Sequence, residues 1–155
     1  MGSKRALLIG LAGEYRVMSE LLLRGHNPSK SYLAAGPDIV LENGFRLEIK
    51  SKHRHRDKSG PYEVQFFSGH TRRNVRPTGF DFVIVWCIDD DAFFIIPIDA
   101  LPASSFGLWP DSKKSRYSRF KEAWHLLEKG TAEVPMNRKE PGITRRSIKQ
   151  FPLGI

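Results

Sequence analysis

The alternation of apolar and polar residues between positions 37 and 52 predicts two β-strands joined by a tight turn. Asn43-Gly44 marks the turn, but a two-residue loop would scatter charge onto both faces of the hairpin. A three-residue loop pairs Leu41 with Phe45 and places Gly44 in a bulge that needs a left-handed residue. Because a one-residue slip would expose the whole apolar set, burial selects the three-residue loop.

This register gives the hairpin one apolar and one polar face. The apolar face consists of Ile39, Leu41, Phe45, Leu47 and Ile49. On the polar face, Asp38 lies directly across from Glu48, and Lys50 follows on the same side. Two carboxylates that close repel each other unless a cation lies between them, and with a lysine they can hold a divalent metal against a phosphate. The alternative is a set of surface ion pairs among Arg46, Glu48 and Lys50, which contributes little to stability.

A helix that precedes the hairpin offers a third carboxylate. Residues 6–24 repeat apolar positions at helical spacing, and Gly25 is the expected stop. Glu14 lies three and four residues before Val17 and Met18, so it shares their inward face. An inward carboxylate needs a partner, although Glu14 near the helix start also suits the positive end of the helix dipole.

Further strands follow the hairpin. Residues 62–67 alternate as a strand that carries Gln65 toward the carboxylates, and the apolar run 82–88 predicts a central strand covered on both faces. Residues 93–98 return as its neighbour, and we interpret the three aspartates at 89–91 as an acidic turn rather than a metal site. Residues 112–129 predict a second amphipathic helix.

These elements predict the α/β (α+β) class, a mixed central β-sheet with flanking helices. A single domain would span residues 1–130, and residues 131–155 would form a basic C-terminal tail.

The charge distribution favours a nucleic-acid partner. The chain has 25 Lys and Arg against 17 Asp and Glu, a net charge of +8. Between Gly44 and Gly79, nine Lys and Arg face three acidic residues. The loops in this region supply candidate phosphate contacts, namely Arg54, Arg56, Lys58, Arg72, Arg73 and Arg76. The alternative for the first loop is a solvated segment without a ligand.

Several classes of protein are excluded or disfavoured. The single cysteine, Cys87, excludes an intramolecular disulfide and a cysteine-rich zinc site. No stretch approaches the ~18 apolar residues of a membrane helix, and the N-terminal sequence lacks the pattern of a signal peptide. We therefore expect an intracellular protein with no membrane partner.

Three short motifs together resemble the PD-(D/E)xK nuclease superfamily: Gly13-Glu14, Pro37-Asp38 and Glu48-Ile49-Lys50. Their spacing is similar to that of archaeal-type Holliday junction resolvases. The later segment, from Tyr62 to the Ile96-Pro97 strand, looks more like intron-encoded homing endonucleases of this fold. The resemblance covers about residues 10–98 and implies a restriction-endonuclease-like core.

The resemblance also implies a catalytic site. Asp38, Glu48 and the Ile49 carbonyl would bind Mg²⁺, for which Mn²⁺ can substitute, and Glu14 would join them directly or through water. Lys50 would orient a water molecule or stabilise charge on the phosphate, so Glu14, Asp38, Glu48 and Lys50 are the candidate catalytic residues. Ser51, Lys52 and Gln65 are expected to contact nucleic acid.

The implied activity is a metal-dependent DNA endonuclease that hydrolyses phosphodiester bonds. Branched, Holliday-junction-like DNA is one candidate substrate, and a specific duplex site, as for homing or restriction enzymes, is the other. Cleavage of two strands needs two sites, so we expect a homodimer or a higher symmetric homo-oligomer. The competing hypotheses are a non-cleaving nucleic-acid binder of the same fold and an RNA-processing nuclease.

Overall fold

The computed structural model describes residues 2–32, 35–54, 59–66 and 78–128. Within these ranges the chain forms α1 (Gly2–Leu23), β1 (Ser29–Lys30), β2 (Ile39–Val40), β3 (Arg46–Lys52), β4 (Tyr62–Val64), β5 (Phe82–Cys87), β6 (Ala92–Pro97) and β7 (Phe106–Leu108). No helix in the described ranges combines the length and hydropathy needed to cross a bilayer. Arg56, Lys58, Arg72, Arg73, Arg76 and the predicted tail lie outside the described residues, so the domain boundary at residue 130 stays a prediction.

Helix α1 ends where the sequence predicts. The N–H of Gly25 donates to the Leu22 carbonyl at 3.0 Å, and the N–H of His26 donates to the Leu21 carbonyl at 3.0 Å. Gly25 has φ +87°, the left-handed conformation that glycine adopts at least cost. This is the Schellman arrangement that satisfies the last carbonyls of a helix.

Five strands form the main sheet in the order β1-β2-β3-β5-β6. Strands β3 and β5 are parallel, whereas β1 with β2, β2 with β3 and β5 with β6 are antiparallel. Strands β4 and β7 pair separately as a two-stranded antiparallel sheet. A mixed sheet with a helix packed on it confirms the predicted α+β class.

The main sheet separates two hydrophobic clusters. One cluster includes Val17 and Leu21 of α1 together with Ile39, Leu47 and Ile84. The other is formed by Tyr62, Val64, Val83, Val85, Cys87, Phe94, Ile96 and Leu108, among others. Strand β5 therefore contributes alternate residues to both clusters, as expected for a strand covered on both faces.

The prediction of a second α-helix is wrong. Residues 112–128 instead contain two short 3₁₀ turns, Ser118–Phe120 and Trp124–Leu127. Between the turns, Lys121 is extended and bridges to Phe94 of β6, and Glu122 adopts φ +50°. The Glu122 N–H donates to the Phe93 carbonyl at 2.8 Å, so pairing with the sheet edge interrupts the helix.

The aspartates that follow β5 form a turn, as predicted. Ile88–Asp90 is a 3₁₀ turn, and Asp91 has φ +44°. Each carboxylate accepts hydrogen bonds from neighbouring groups: Asp89 from the Arg54 N–H, Asp90 from Arg54 and Tyr62, and Asp91 from Arg16 and Trp86. These contacts tie the turn to the surrounding elements.

Candidate functional site

The hairpin of β2 and β3 has the predicted three-residue turn. Ile39 pairs with Leu47 and Val40 with Arg46, so the same register places Asp38 opposite Glu48. The Leu41 N–H donates to the Phe45 carbonyl at 2.8 Å. Gly44 has φ +90°, which fits a bulged turn. The predicted register is therefore confirmed.

Asp38 lies where β2 diverges from β3. Its backbone N–H donates to the Leu47 carbonyl at 2.9 Å, while its Oδ2 accepts the Ile49 N–H at 2.7 Å. The carboxylate thus takes the place of a backbone carbonyl of the neighbouring strand. This bond fixes the side chain against the strand that carries Glu48 and Lys50.

Negative charge accumulates around Asp38. The pKa of Asp38 is raised to about 6, mainly by burial and further by the carboxylates of Glu48 and Glu14. The Ile49 N–H and the Lys50 ammonium act in the opposite direction and lower it. A carboxyl group whose charge is disfavoured by two other carboxylates lies in a place that favours a cation. Glu14, Glu48 and Lys50, the other three predicted catalytic side chains, therefore all act electrostatically on Asp38.

Glu14 reaches this place because α1 packs unusually close to β3. A Cβ atom at Gly13 would lie 1.6 Å from Oγ and 2.9 Å from Cβ of Ser51. Glycine within a helix costs about 1 kcal/mol relative to alanine, so its presence at this position reflects the close approach. The Gly13-Glu14 pair thus combines a packing residue with a carboxylate.

Both lysines near the site are paired with its carboxylates. Lys50 Nζ lies 2.6 Å from Glu48 Oε1 and 5.6 Å from the Phe66 ring centroid. Lys30 Nζ lies 2.7 Å from Glu14 Oε2, and its side chain is 10% exposed. Among the described residues, no three His, Cys, Asp or Glu side chains are grouped so that they could hold a metal ion.

Lys30 is a site residue that sequence reasoning missed. It lies on the two-residue strand β1, opposite Ile39, one position along from Asp38. Its ammonium also lies 4.7 Å from the Tyr15 ring and 5.7 Å from the Tyr32 ring. The nearest available signal was a lysine in the extended segment that leads into the hairpin.

The predicted nucleic-acid contacts that the structure describes differ in accessibility. Ser51 Oγ is buried beneath Gly13 and has no hydrogen-bond partner among the described groups, so it does not face a ligand in this arrangement. Lys52 is partly buried, and burial lowers its pKa, as does the neighbouring Lys50. Gln65 is partly buried after β4. Their roles stay predictions.

Arg54 is held by structural contacts. Its guanidinium bonds to Asp90 at 2.8 Å, to the Gly60 carbonyl at 3.2 Å and to Asp111 at 3.3 Å, and it lies over the Tyr62 ring. Its side chain is 13% exposed. Arg54 therefore joins the acidic turn to β4, and a phosphate contact would compete with these bonds.

The fold has a counterpart among solved structures. The chain is similar to "a bacterial homing endonuclease: I-Ssp6803I", with a TM-score of 0.66 and 24% sequence identity over 77% of this chain and 90% of that one. No protein-family model matches the sequence, and no curated protein matches it. At this level of identity the similarity shows a shared fold.

Proposed function

We propose that the chain is an intracellular, metal-dependent DNA endonuclease that hydrolyses phosphodiester bonds. The observation that carries this proposal is the convergence of Asp38, Glu48 and Glu14, whose mutual repulsion contributes to the raised pKa of Asp38. The shared fold with a homing endonuclease supports the same reading. The net charge of +8 suits DNA.

The residues present fit a divalent cation by their chemistry. Asp38 and Glu48 offer oxygen ligands from facing strands, the Ile49 carbonyl lies between Glu48 and Lys50 along β3, and Glu14 approaches from α1. Hard oxygen donors and excess negative charge are what Mg²⁺ and Mn²⁺ prefer. Such an ion polarises a phosphate and lowers the pKa of a bound water.

The two lysines would complete the site. In the proposed reaction, Lys50 stabilises the negative charge that develops on the phosphate oxygens, since its ammonium lies on the same strand as Glu48. Lys30 holds Glu14 in place through the 2.7 Å ion pair. Both ammonium groups reduce the repulsion among the three carboxylates while no cation is bound.

Two substrate classes follow from different observations. The homing endonuclease fold favours a specific site in duplex DNA. The small size of the chain, 155 residues, leaves little room for a domain that reads sequence and favours branched DNA recognised by shape. Either substrate calls for a symmetric homo-oligomer, because one site cuts one strand.

Cleavage assays test the proposal directly. The protein is incubated with Mg²⁺ and, separately, linear duplex, supercoiled plasmid, a four-way junction and single strands. We expect cleavage that Asp38→Asn and Lys50→Ala abolish. Asp99→Asn and Lys113→Ala, matched changes at exposed positions, should leave cleavage intact. Cleavage that survives both site substitutions, or none on any DNA with Mg²⁺ or Mn²⁺, would refute the nuclease.

Cation binding can be measured without catalysis. Ca²⁺ is the probe, because it favours oxygen ligands. Its binding is detected as a rise in the melting temperature, without any measurement of cleavage. We expect Ca²⁺ to raise the melting temperature of the unmodified chain and not that of Asp38→Asn. An equal shift in both proteins would place the cation elsewhere.

A further inference from the structure

Helix α1 is apolar on two sides, and its own sheet covers only one of them. Gly13, Val17 and Leu21 face the sheet and are buried. A second set of apolar residues points away from it and is between 39% and 74% exposed: Leu7, Leu8, Leu11, Tyr15 and Leu22. We call these five residues the outer stripe. A continuous exposed apolar patch is typical of an interaction surface.

The outer stripe is continuous and narrow. At about 100° per residue, its members fall within an arc of about 100°, centred roughly 140° away from the face that packs on β3. Leu8, Leu11, Tyr15, Met18 and Leu22 follow one another at alternating spacings of three and four. That spacing is the seam of two helices packed side by side.

The first half of α1 has little packing against the rest of the described residues. Residues 3–8 are all exposed, and a Cβ atom at Gly10 would meet no atom within 4 Å. Short helices in water gain most of their stability from packing of an apolar face rather than from propensity. The packing available to this half is the outer stripe.

We propose that the outer stripe is a homodimer interface in which α1 of one copy packs along α1 of a second copy about a two-fold axis. The apolar residues of the stripe can pack against those of a second copy about a two-fold axis, and Lys4 is the one charged residue that falls within the arc of the stripe.

The area of the stripe agrees with this occupant. Taking about 200 Å² for a large apolar residue, the stripe exposes on the order of 500 Å². Ala12 and Ser19 are exposed beside it and extend the contact. The total approaches the roughly 600 Å² per partner at the lower end of specific interfaces. The interface does not depend on the proposed nuclease activity.

The test is the mass of the full chain in solution, measured by sedimentation at micromolar concentration and high salt, without DNA. We expect a dimer, and we expect Leu8→Glu/Leu11→Glu to weaken it by about 100-fold or more, because four leucines leave the seam. The matched control is Leu23→Glu on the same helix. Leu23 is 81% exposed but lies off the stripe, so this variant should stay dimeric.

Circular dichroism confirms that the variants fold. A monomeric unmodified chain would overturn the proposal, as would a dimer that Leu8→Glu/Leu11→Glu leaves intact, or one that Leu23→Glu disrupts equally. Because none of these measurements involves cleavage, failure of the interface and failure of the nuclease are separate results.

Disulfide trapping gives a second readout. The native thiol, Cys87, is buried, so an engineered surface cysteine is the reactive one. A parallel pair should crosslink through Leu11→Cys alone, and an antiparallel pair centred on the seam, which runs from Leu8 to Leu22, should crosslink through Tyr15→Cys alone. A trapped dimer of either kind supports the seam. If neither crosslink forms, the seam is contradicted.

Discussion

Replacing Gly13 with alanine should separate the close packing of α1 from its helix propensity. The added Cβ would lie 1.6 Å from Oγ and 2.9 Å from Cβ of Ser51. The hydroxyl can rotate away, but Cβ is fixed by the backbone and remains too close. Helix α1 must therefore move away from β3. Alanine gains about 1 kcal/mol in helix propensity, whereas overpacking costs up to about 3 kcal/mol, so we expect a net loss of about 2 kcal/mol.

Gly10→Ala is the matched control on the same helix. A Cβ atom at Gly10 meets nothing within 4 Å, so this substitution should stabilise the fold by up to about 1 kcal/mol. The assay is urea unfolding of all variants at one protein concentration, because self-association makes the apparent stability depend on concentration. The two alanine substitutions should thus shift the unfolding midpoint in opposite directions.

A double-mutant cycle with Ser51→Gly isolates the contact. Ser51→Gly removes both atoms that the new Cβ would meet, so Gly13→Ala in that background should regain the helix-propensity gain. The expected coupling is about 2–3 kcal/mol. If Gly13→Ala unfolds at the same urea concentration as the unmodified chain, or the cycle shows no coupling, the packing that positions Glu14 is refuted.

Three other substitutions have defined outcomes in urea unfolding. The pKa of Asp38 is about 6 in the folded chain, above its usual 3.8, so ionisation destabilises the fold as pH rises through this range. With a chelator present, Asp38→Asn should therefore stabilise the fold above pH 6, by about 1–2 kcal/mol after solvent screening, and lose this gain below about pH 4. Lys30→Met should cost about 1–2 kcal/mol of stability. The double variant Glu14→Gln/Lys30→Met should cost less than the sum of the two single variants, and an additive cost would contradict the ion pair. Glu122→Ala should cost about 2 kcal/mol, because the carboxylate accepts the Phe93 N–H and Trp124 Nε1–H, and Glu122→Gln should cost less.

The hairpin could be predicted from the sequence because its register has a single solution that buries the apolar face. Ile39, Leu41 and Leu47 are buried, and the turn at Gly44 follows from that requirement. The opposition of Asp38 and Glu48 needs no further information, because strand pairing carries it. The end of α1 at Gly25 was predictable for a similar local reason.

The prediction of a second helix failed because two different local structures produce the same periodicity of apolar residues. Tyr117, Phe120, Trp124 and Leu127 are buried, as an amphipathic helix would require. Two 3₁₀ turns place the same residues inward. The pairing of the intervening residues with β6 decides in favour of the turns and against the helix. That pairing is a long-range contact, which a local pattern does not record.

Lys30 was missed for a similar reason. Strand β1 has two residues, too few for a period, and the partner of Lys30 lies on α1, sixteen positions earlier. The role of Gly13 was likewise hidden, because it depends on Ser51 facing it across two elements. Both features arise from the docking of α1 on the sheet rather than from any one segment.

Three consecutive residues of α1 face three different surroundings. Successive positions turn by about 100°, so Gly13 contacts β3, Glu14 reaches the carboxylate site and Tyr15 lies in the outer stripe. A rigid shift of α1 therefore displaces Glu14 from the site but carries the stripe along unchanged. If the proposed dimer forms, Gly13→Ala should lower cleavage while self-association persists, and Ser51→Gly should restore cleavage. Loss of self-association in Gly13→Ala would show that the helix does not move as a unit.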